Sequence, residues 1–163
     1  MNYFDYEYRV LYADTDKLGI SYYANYLIWF EAARTEYFRA LGILYSDCEK
    51  RGYFLPVTEC RISYLSPTTY DDLLVIRASV SEMGRSSLCF EYQVFKKDGT
   101  LSEKDRKGGT APRLIATGFT RHVFVDQDMH PVRVPDEIRR LVTPYKLSVG
   151  KREEARSKTA GSS

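Results

Sequence analysis

Apolar and polar residues alternate over 4–12, Phe-Asp-Tyr-Glu-Tyr-Arg-Val-Leu-Tyr, the period-two pattern of a half-buried strand. The alternation stops at Asp14-Thr15-Asp16-Lys17-Leu18-Gly19, which has turn chemistry. Over 25–41 the bulky residues Tyr26, Phe30, Ala33, Tyr37 and Leu41 recur three and four apart, with Glu31, Arg34, Thr35, Glu36 and Arg39 off that stripe. This spacing predicts an amphipathic helix, and Gly42 is a residue suited to end it. The period then returns to two: 54–65, 73–82, 86–95 and 114–125 each read as a strand, and 135–142 reads as a short helix opened by Pro135.

The Met83-Gly84-Arg85 link is too short for a crossover helix, so the strands it joins must be antiparallel neighbours. Strand, long helix and then four strands in a meander define an α+β fold, in which one curved antiparallel sheet of about five strands covers the helix. Two sheet edges remain open, and pairing them between copies predicts at least a dimer. The 163 residues suit a single domain over 1–148, followed by a polar and flexible tail over 149–163.

Charge and cysteine content narrow the function classes. The net charge is +2, but four of the 24 bases and two of the 22 acids lie in 150–163, so 1–149 is balanced at 20 each. That balance argues against a nucleic-acid-binding face. The 96–113 stretch carries six bases, and reads as a solvated loop, with phosphate contact the alternative. Cys48, Cys60 and Cys89 have no C-x-x-C spacing, which points to neither a disulfide framework nor a zinc site. No apolar run approaches the roughly 20 residues of a membrane span, and no signal pattern follows Met1, so a cytoplasmic protein is expected.

The chemistry must rest on carboxylates. No nucleophile elbow, phosphate-binding loop, dinucleotide fingerprint or zincin motif is present, and the histidines are limited to His122 and His130. His122, inside the last strand, reads as a structural histidine. Glu31 and Arg34, three apart on the helix, read as a structural pair, and Glu59 as a structural carboxylate. Asp14 and Asp16 admit two readings. They can form an Asx turn ahead of the helix, or one can face a pocket beside the free N–H groups of the helix start, a carboxylate next to an oxyanion site. Ten of the 14 tyrosines fall within residues 1–53, and Tyr22 and Tyr23 lie at this same junction.

The stretch Tyr12-Ala13-Asp14-Thr15-Asp16-Lys17-Leu18-Gly19-Ile20-Ser21-Tyr22-Tyr23-Ala24-Asn25-Tyr26, running on into Trp29-Phe30-Glu31-Ala32-Ala33-Arg34-Thr35-Glu36-Tyr37, resembles the signature of hot-dog fold acyl-CoA thioesterases of the 4-hydroxybenzoyl-CoA thioesterase type. The resemblance implies a central helix wrapped by an antiparallel sheet, dimers or tetramers, and active sites at subunit interfaces. It implies Asp16 as nucleophile or general base and the backbone N–H of Tyr23 as oxyanion donor. The substrate would be an acyl-CoA, with no metal and no cofactor beyond the CoA of the substrate. Many relatives carry His at the Tyr23 position and some carry Pro at Ala24. Bases for the CoA phosphates would come from Arg85, the 96–113 loop or the C-terminal segment. Other classes compatible with the fold are a non-catalytic acyl-CoA sensor or carrier and a dehydratase, the latter disfavoured by the missing His-Asp pair ahead of the helix.

Overall fold

The computed structural model describes residues 3–97 and 112–145; most of the 96–113 loop and the 149–163 tail lie outside the described residues. The elements run β1 (Phe4–Arg9), α1 (Asn25–Ala40), α2 (Tyr45–Lys50), β2 (Val57–Tyr64), β3 (Leu73–Met83), β4 (Ser87–Lys97), β5 (Arg113–Val123) and α3 (Asp136–Val142).

All five strands form one antiparallel sheet in the order β1-β3-β4-β5-β2. The expected four-strand meander is therefore confined to β3-β4-β5. β2 does not lie beside β3, because that edge is taken by β1 in the register Phe4↔Ala78 to Arg9↔Leu73. The open edge of β5 receives β2 instead, with Tyr64 opposite Ala116. The first strand is also shorter than its alternation suggested, since the chain leaves the sheet after Arg9 and makes a 3₁₀ turn at Tyr12–Asp14.

Helix α1 packs on one face of this sheet. Its stripe is wider than the five-residue pattern: Trp29 and Phe38 are buried alongside Tyr26, Phe30, Ala33 and Tyr37, and Leu41 lies just past the last turn. Phe30 stacks on Tyr92 of β4 at 4.3 Å, and Phe38 meets Phe90 edge-on at 5.5 Å. Leu74, Ile76, Ala78 and Val80 of β3 and Leu88, Phe90 and Val94 of β4 complete the core. The helix ends in a Schellman closure, with Gly42 at φ +79°, its N–H donating to the Arg39 carbonyl and the Ile43 N–H donating to the Phe38 carbonyl.

Helix α2 has no counterpart in the hydrophobic pattern, because six residues are too few to display a 3.6 period. It is closed in the same way by Gly52 at φ +79°. Among the described residues none of the three cysteines is in a disulfide, and no helix is long and apolar enough to cross a membrane.

Candidate active site

Between β1 and α1 the chain makes two turns, each organised by one aspartate. Asp14 is bonded through both its carboxylate and its carbonyl. Its Oδ2 accepts the Leu11 N–H at 2.7 Å and the Tyr8 hydroxyl at 2.8 Å, and its carbonyl accepts the Tyr22 N–H and the Asn25 Nδ2–H, both at 2.8 Å. Burial, then the Asp14 carboxylate, raises the Tyr8 phenol above its ordinary pKa.

Asp16 opens the second turn. Its N–H donates to the Ile20 carbonyl at 2.9 Å, its carbonyl accepts the Gly19 N–H at 2.9 Å, and its Oδ1 accepts the Leu18 N–H at 2.7 Å. Gly19 at φ +76° takes the left-handed conformation this tight return needs. The turn is anchored to the loop before β3 by the Ser21 N–H, which donates to the Thr68 carbonyl at 2.8 Å. Among the described residues, Oδ2 of Asp16 has no hydrogen-bond partner.

The turn delivers Tyr22 and Tyr23 to the start of α1, their rings 4.6 Å apart and both exposed. A hydrogen bond with Tyr23, reinforced by the nearby Asp16 carboxylate, raises the Tyr22 phenol above its ordinary pKa. Tyr22 thus stands beside both residues singled out in the sequence. The Asn25 N–H donates back to the Tyr22 carbonyl at 3.0 Å, and the Leu27 N–H to the Ala24 carbonyl at 3.1 Å. The Tyr23 N–H finds no acceptor among the described residues, as expected for the first peptides of a helix, where donors point outward and favour negative charge. The Tyr23 carbonyl accepts the hydroxyl of Tyr64, on β2, at 2.9 Å. Tyr64 carries no motif, so it escapes a reading of the sequence alone.

The remaining candidates are structural. His122 is fully buried, with Nε2 at 2.7 Å from Arg34 Nη1 and 2.9 Å from Thr120 Oγ1, and Nδ1 at 3.3 Å from the Leu55 carbonyl. Arg34 therefore turns inward to His122 and does not form the expected pair with Glu31, which is exposed. Glu59 pairs with Arg61 at 3.2 Å and Arg121 at 3.8 Å. Asp126, Asp128 and His130 come within 4.8 Å of one another in an exposed turn, but Asp126 Oδ1 already accepts the N–H groups of Asp128 and His130 at 2.9 Å each. Among the bases considered for phosphate contact, Arg85 lies at the β3–β4 hairpin tip, where its carbonyl accepts the Val134 N–H.

One long helix held against a five-stranded antiparallel sheet, with an acidic turn at its N-terminus, defines a hot-dog protein. The profile of the thioesterase superfamily matches residues 18–103, more than half of the chain, and the chain belongs to that superfamily. It is 40% identical over 98 residues to the putative acyl-CoA thioesterase YneP of Bacillus subtilis, covering 60% of this chain and 71% of that protein. It is 36% identical over 103 residues to the acyl-CoA thioesterase YbgC of Haemophilus influenzae, covering 63% and 76%. Among solved structures, a mutant 4-hydroxybenzoyl-CoA thioesterase complexed with 4-hydroxybenzoyl-CoA superposes with a TM-score of 0.75 at 25% identity, over 88% of this chain and all of that one.

Proposed function

We propose that the protein hydrolyses the thioester of an acyl- or aroyl-CoA to the free acid and CoA, with the Asp16 carboxylate and the Tyr23 N–H as its reacting groups. The observation that carries the reading is the division of labour in the acidic turn. The Asp14 carboxylate is tied to β1 by the Tyr8 hydroxyl and to the Leu11 N–H, and its carbonyl holds the helix start, whereas the Asp16 carboxylate bonds only the Leu18 N–H of its own turn, beside a helix start whose Tyr23 N–H is unpartnered among the described residues. The names of the relatives supply the substrate class.

The chemistry suits these groups. A thiolate leaves readily, so the enzyme needs mainly to polarise the carbonyl and bring an oxygen nucleophile to it. The Tyr23 N–H accepts the developing charge on the carbonyl oxygen. Asp16 either attacks the carbonyl carbon or takes a proton from an attacking water. In the base route the water oxygen forms the new C–O bond as the C–S bond breaks. In the nucleophile route Asp16 forms a mixed anhydride as the C–S bond breaks, and water then hydrolyses it to the free acid and restores the carboxylate. In both, CoA leaves as the thiolate and takes up a proton. Neither route requires a metal or a cofactor beyond the CoA of the substrate.

The same reading places the protein in the cytoplasm and makes it a homodimer or homotetramer. β2 is an open edge carrying exposed Val57 and Tyr64, and the outer side of α1 exposes Leu27 and Ile28. A second copy laid along β2 would bring its own residues toward the helix start. Light scattering that finds only monomer at working concentration contradicts the assembly.

The decisive measurement is thiol release from a panel of aliphatic and aryl acyl-CoAs by the parent and by Asp16→Asn. The substitution keeps the acceptor for the Leu18 N–H, so the variant is expected to fold normally and lose at least about a hundredfold in kcat. Unchanged turnover removes Asp16 from the mechanism. Calorimetric binding of acyl-CoA by a parent that turns none over assigns the protein to the sensor or carrier class instead.

A further inference from the structure

The peptides entering α1 are held mainly by their own neighbourhood. The Tyr22 N–H and the Asn25 side chain both bond the Asp14 carbonyl, and the Asn25 N–H bonds the Tyr22 carbonyl. The bond on Tyr23 itself is different: its carbonyl accepts the hydroxyl of Tyr64, 41 residues further along the chain and on the edge strand β2. The position of that hydroxyl is set by the sheet. Tyr64 pairs with Ala116 of β5, and its ring meets the buried ring of Tyr26 edge-on at 5.0 Å. Burial raises the Tyr64 phenol above its ordinary pKa, so the hydroxyl keeps its proton and remains a donor at neutral pH.

We propose that Tyr64 is a positioning residue for thioester cleavage, whose hydroxyl holds the Tyr23–Ala24 peptide and, together with the Asn25 N–H on the Tyr22 carbonyl, keeps the Tyr23 N–H aimed at the developing oxyanion. This rests on the assignment of the Tyr23 N–H as oxyanion donor. Such a donor acts through preorganisation, because it stabilises charge only if it already points where the charge appears. The Tyr23 N–H lies in the peptide of the Tyr22 carbonyl, which the Asn25 N–H holds. The Tyr64 hydroxyl, delivered from a paired strand, holds the next peptide through the Tyr23 carbonyl, so the peptides on both sides of the Tyr23 Cα are pinned. It also couples the helix start to the strand edge proposed to meet a second copy.

Tyr64→Phe isolates the effect, since it keeps the ring against Tyr26 and removes one oxygen. The expected result is a fall in kcat of about tenfold with KM within about twofold, a smaller loss than removing the donor itself, because the donor is misaimed and not deleted. The melting temperature should be unchanged, and the backbone amide resonances of Tyr23 and Ala24 should move, Ala24 sharing the peptide that Tyr64 holds. A parent-like kcat in Tyr64→Phe, alongside an inactive Asp16→Asn, overturns the positioning role and leaves the catalytic reading standing. A parallel loss of kcat, KM and melting temperature also overturns it, as the mark of a merely structural residue. Should Asp16→Asn prove fully active, the amide spectrum decides alone: unmoved Tyr23 and Ala24 resonances refute the clamp, and moved ones support it.

Discussion

Nη1 of Arg34 stands 2.7 Å from Nε2 of His122, a guanidinium set against an imidazole that carries no charge. The imidazole is kept neutral by burial first and by the Arg34 charge second, which together hold its pKa down at about 4 against an ordinary 6.5. Nδ1 sits 3.3 Å from the Leu55 carbonyl, so the consistent tautomer donates there and accepts from Arg34 at Nε2. The histidine thereby ties α1 to β5 and to the segment leading into β2.

This arrangement makes stability fall as pH falls from about 6.5 to about 4. The unfolded chain protonates His122 through the upper end of that window, while the folded chain does not until the lower end, so the unfolded state binds more protons in between. The full effect is on the order of 3 kcal/mol. Denaturant unfolding at a series of pH values checks it. His122→Gln, which cannot titrate, should lose this component and leave a flatter profile between pH 6.5 and 4. A variant with the same slope as the parent places the titration elsewhere.

The long elements were legible because their periodicity survives over many residues. The 25–41 pattern became Asn25–Ala40, and the four later strands appear within a few residues of their expected limits. The position of β2 was not legible, since alternation says which residues face inward but not which edge a strand takes; that is decided by the prior claim of β1 on β3. The D-x-D pair left two readings open, and the packing separates the two carboxylates: Asp14 is tied to the Tyr8 hydroxyl of β1 and to the Leu11 N–H, whereas Asp16 bonds only within its own turn. Arg34 was misassigned because its helical spacing from Glu31 is visible in the sequence, whereas the buried imidazole 88 residues away is not. Tyr64 was invisible for the same reason.

Asp14 and Asp16 should respond to substitution in opposite ways. Asp14→Ala removes the acceptor for both the Leu11 N–H and the Tyr8 hydroxyl. Leaving these donors unpaired should destabilise the fold by about 1–3 kcal/mol. Activity is then reduced through a disordered turn. Asp16→Asn should leave the melting temperature close to the parent's and abolish turnover. Thermal unfolding and thiol release measured on both variants test the contrast. Equal loss of stability in the two would mean that the turn does not separate bracing from chemistry.

Asp72 should be the strongest electrostatic fastening of the loop before β3. Burial alone would raise its pKa, but Lys96 at 2.8 Å, the Thr69 N–H at 2.8 Å and the Thr68 hydroxyl at 2.8 Å outweigh it and hold the carboxyl below its ordinary value. The loop in turn holds the Asp16 turn, through Thr68 and Ser21. Asp72→Asn should cost about 2–3 kcal/mol at neutral pH, since it leaves Lys96 without its partner in a largely buried site. The sign follows from a lowered acid pKa: the contribution is present above the ordinary value and is lost as pH falls through the folded one. The parent and Asp72→Asn should therefore converge in stability toward strongly acid pH. A difference that persists undiminished there rules out the ion pair as its source.

Gly118 fixes how closely α1 can approach the sheet. A Cβ at this position of β5 would fall on the Cε2 and Cζ atoms of Phe30, nearer than side-chain packing permits. Phe30 cannot move aside, because it is 1% exposed and stacked on Tyr92 at 4.3 Å. Gly118→Ala should therefore destabilise by about 3 kcal/mol, more than an exposed strand glycine would cost, since the overpacking must be relieved by shifting the helix against the sheet. The same shift would move the start of α1, so kcat should fall as well. Adding Phe30→Leu should recover part of the loss, and the double-mutant cycle should show a coupling of about 1–2 kcal/mol. Strict additivity of the two substitutions would mean that the helix is spaced from β5 by contacts other than this one.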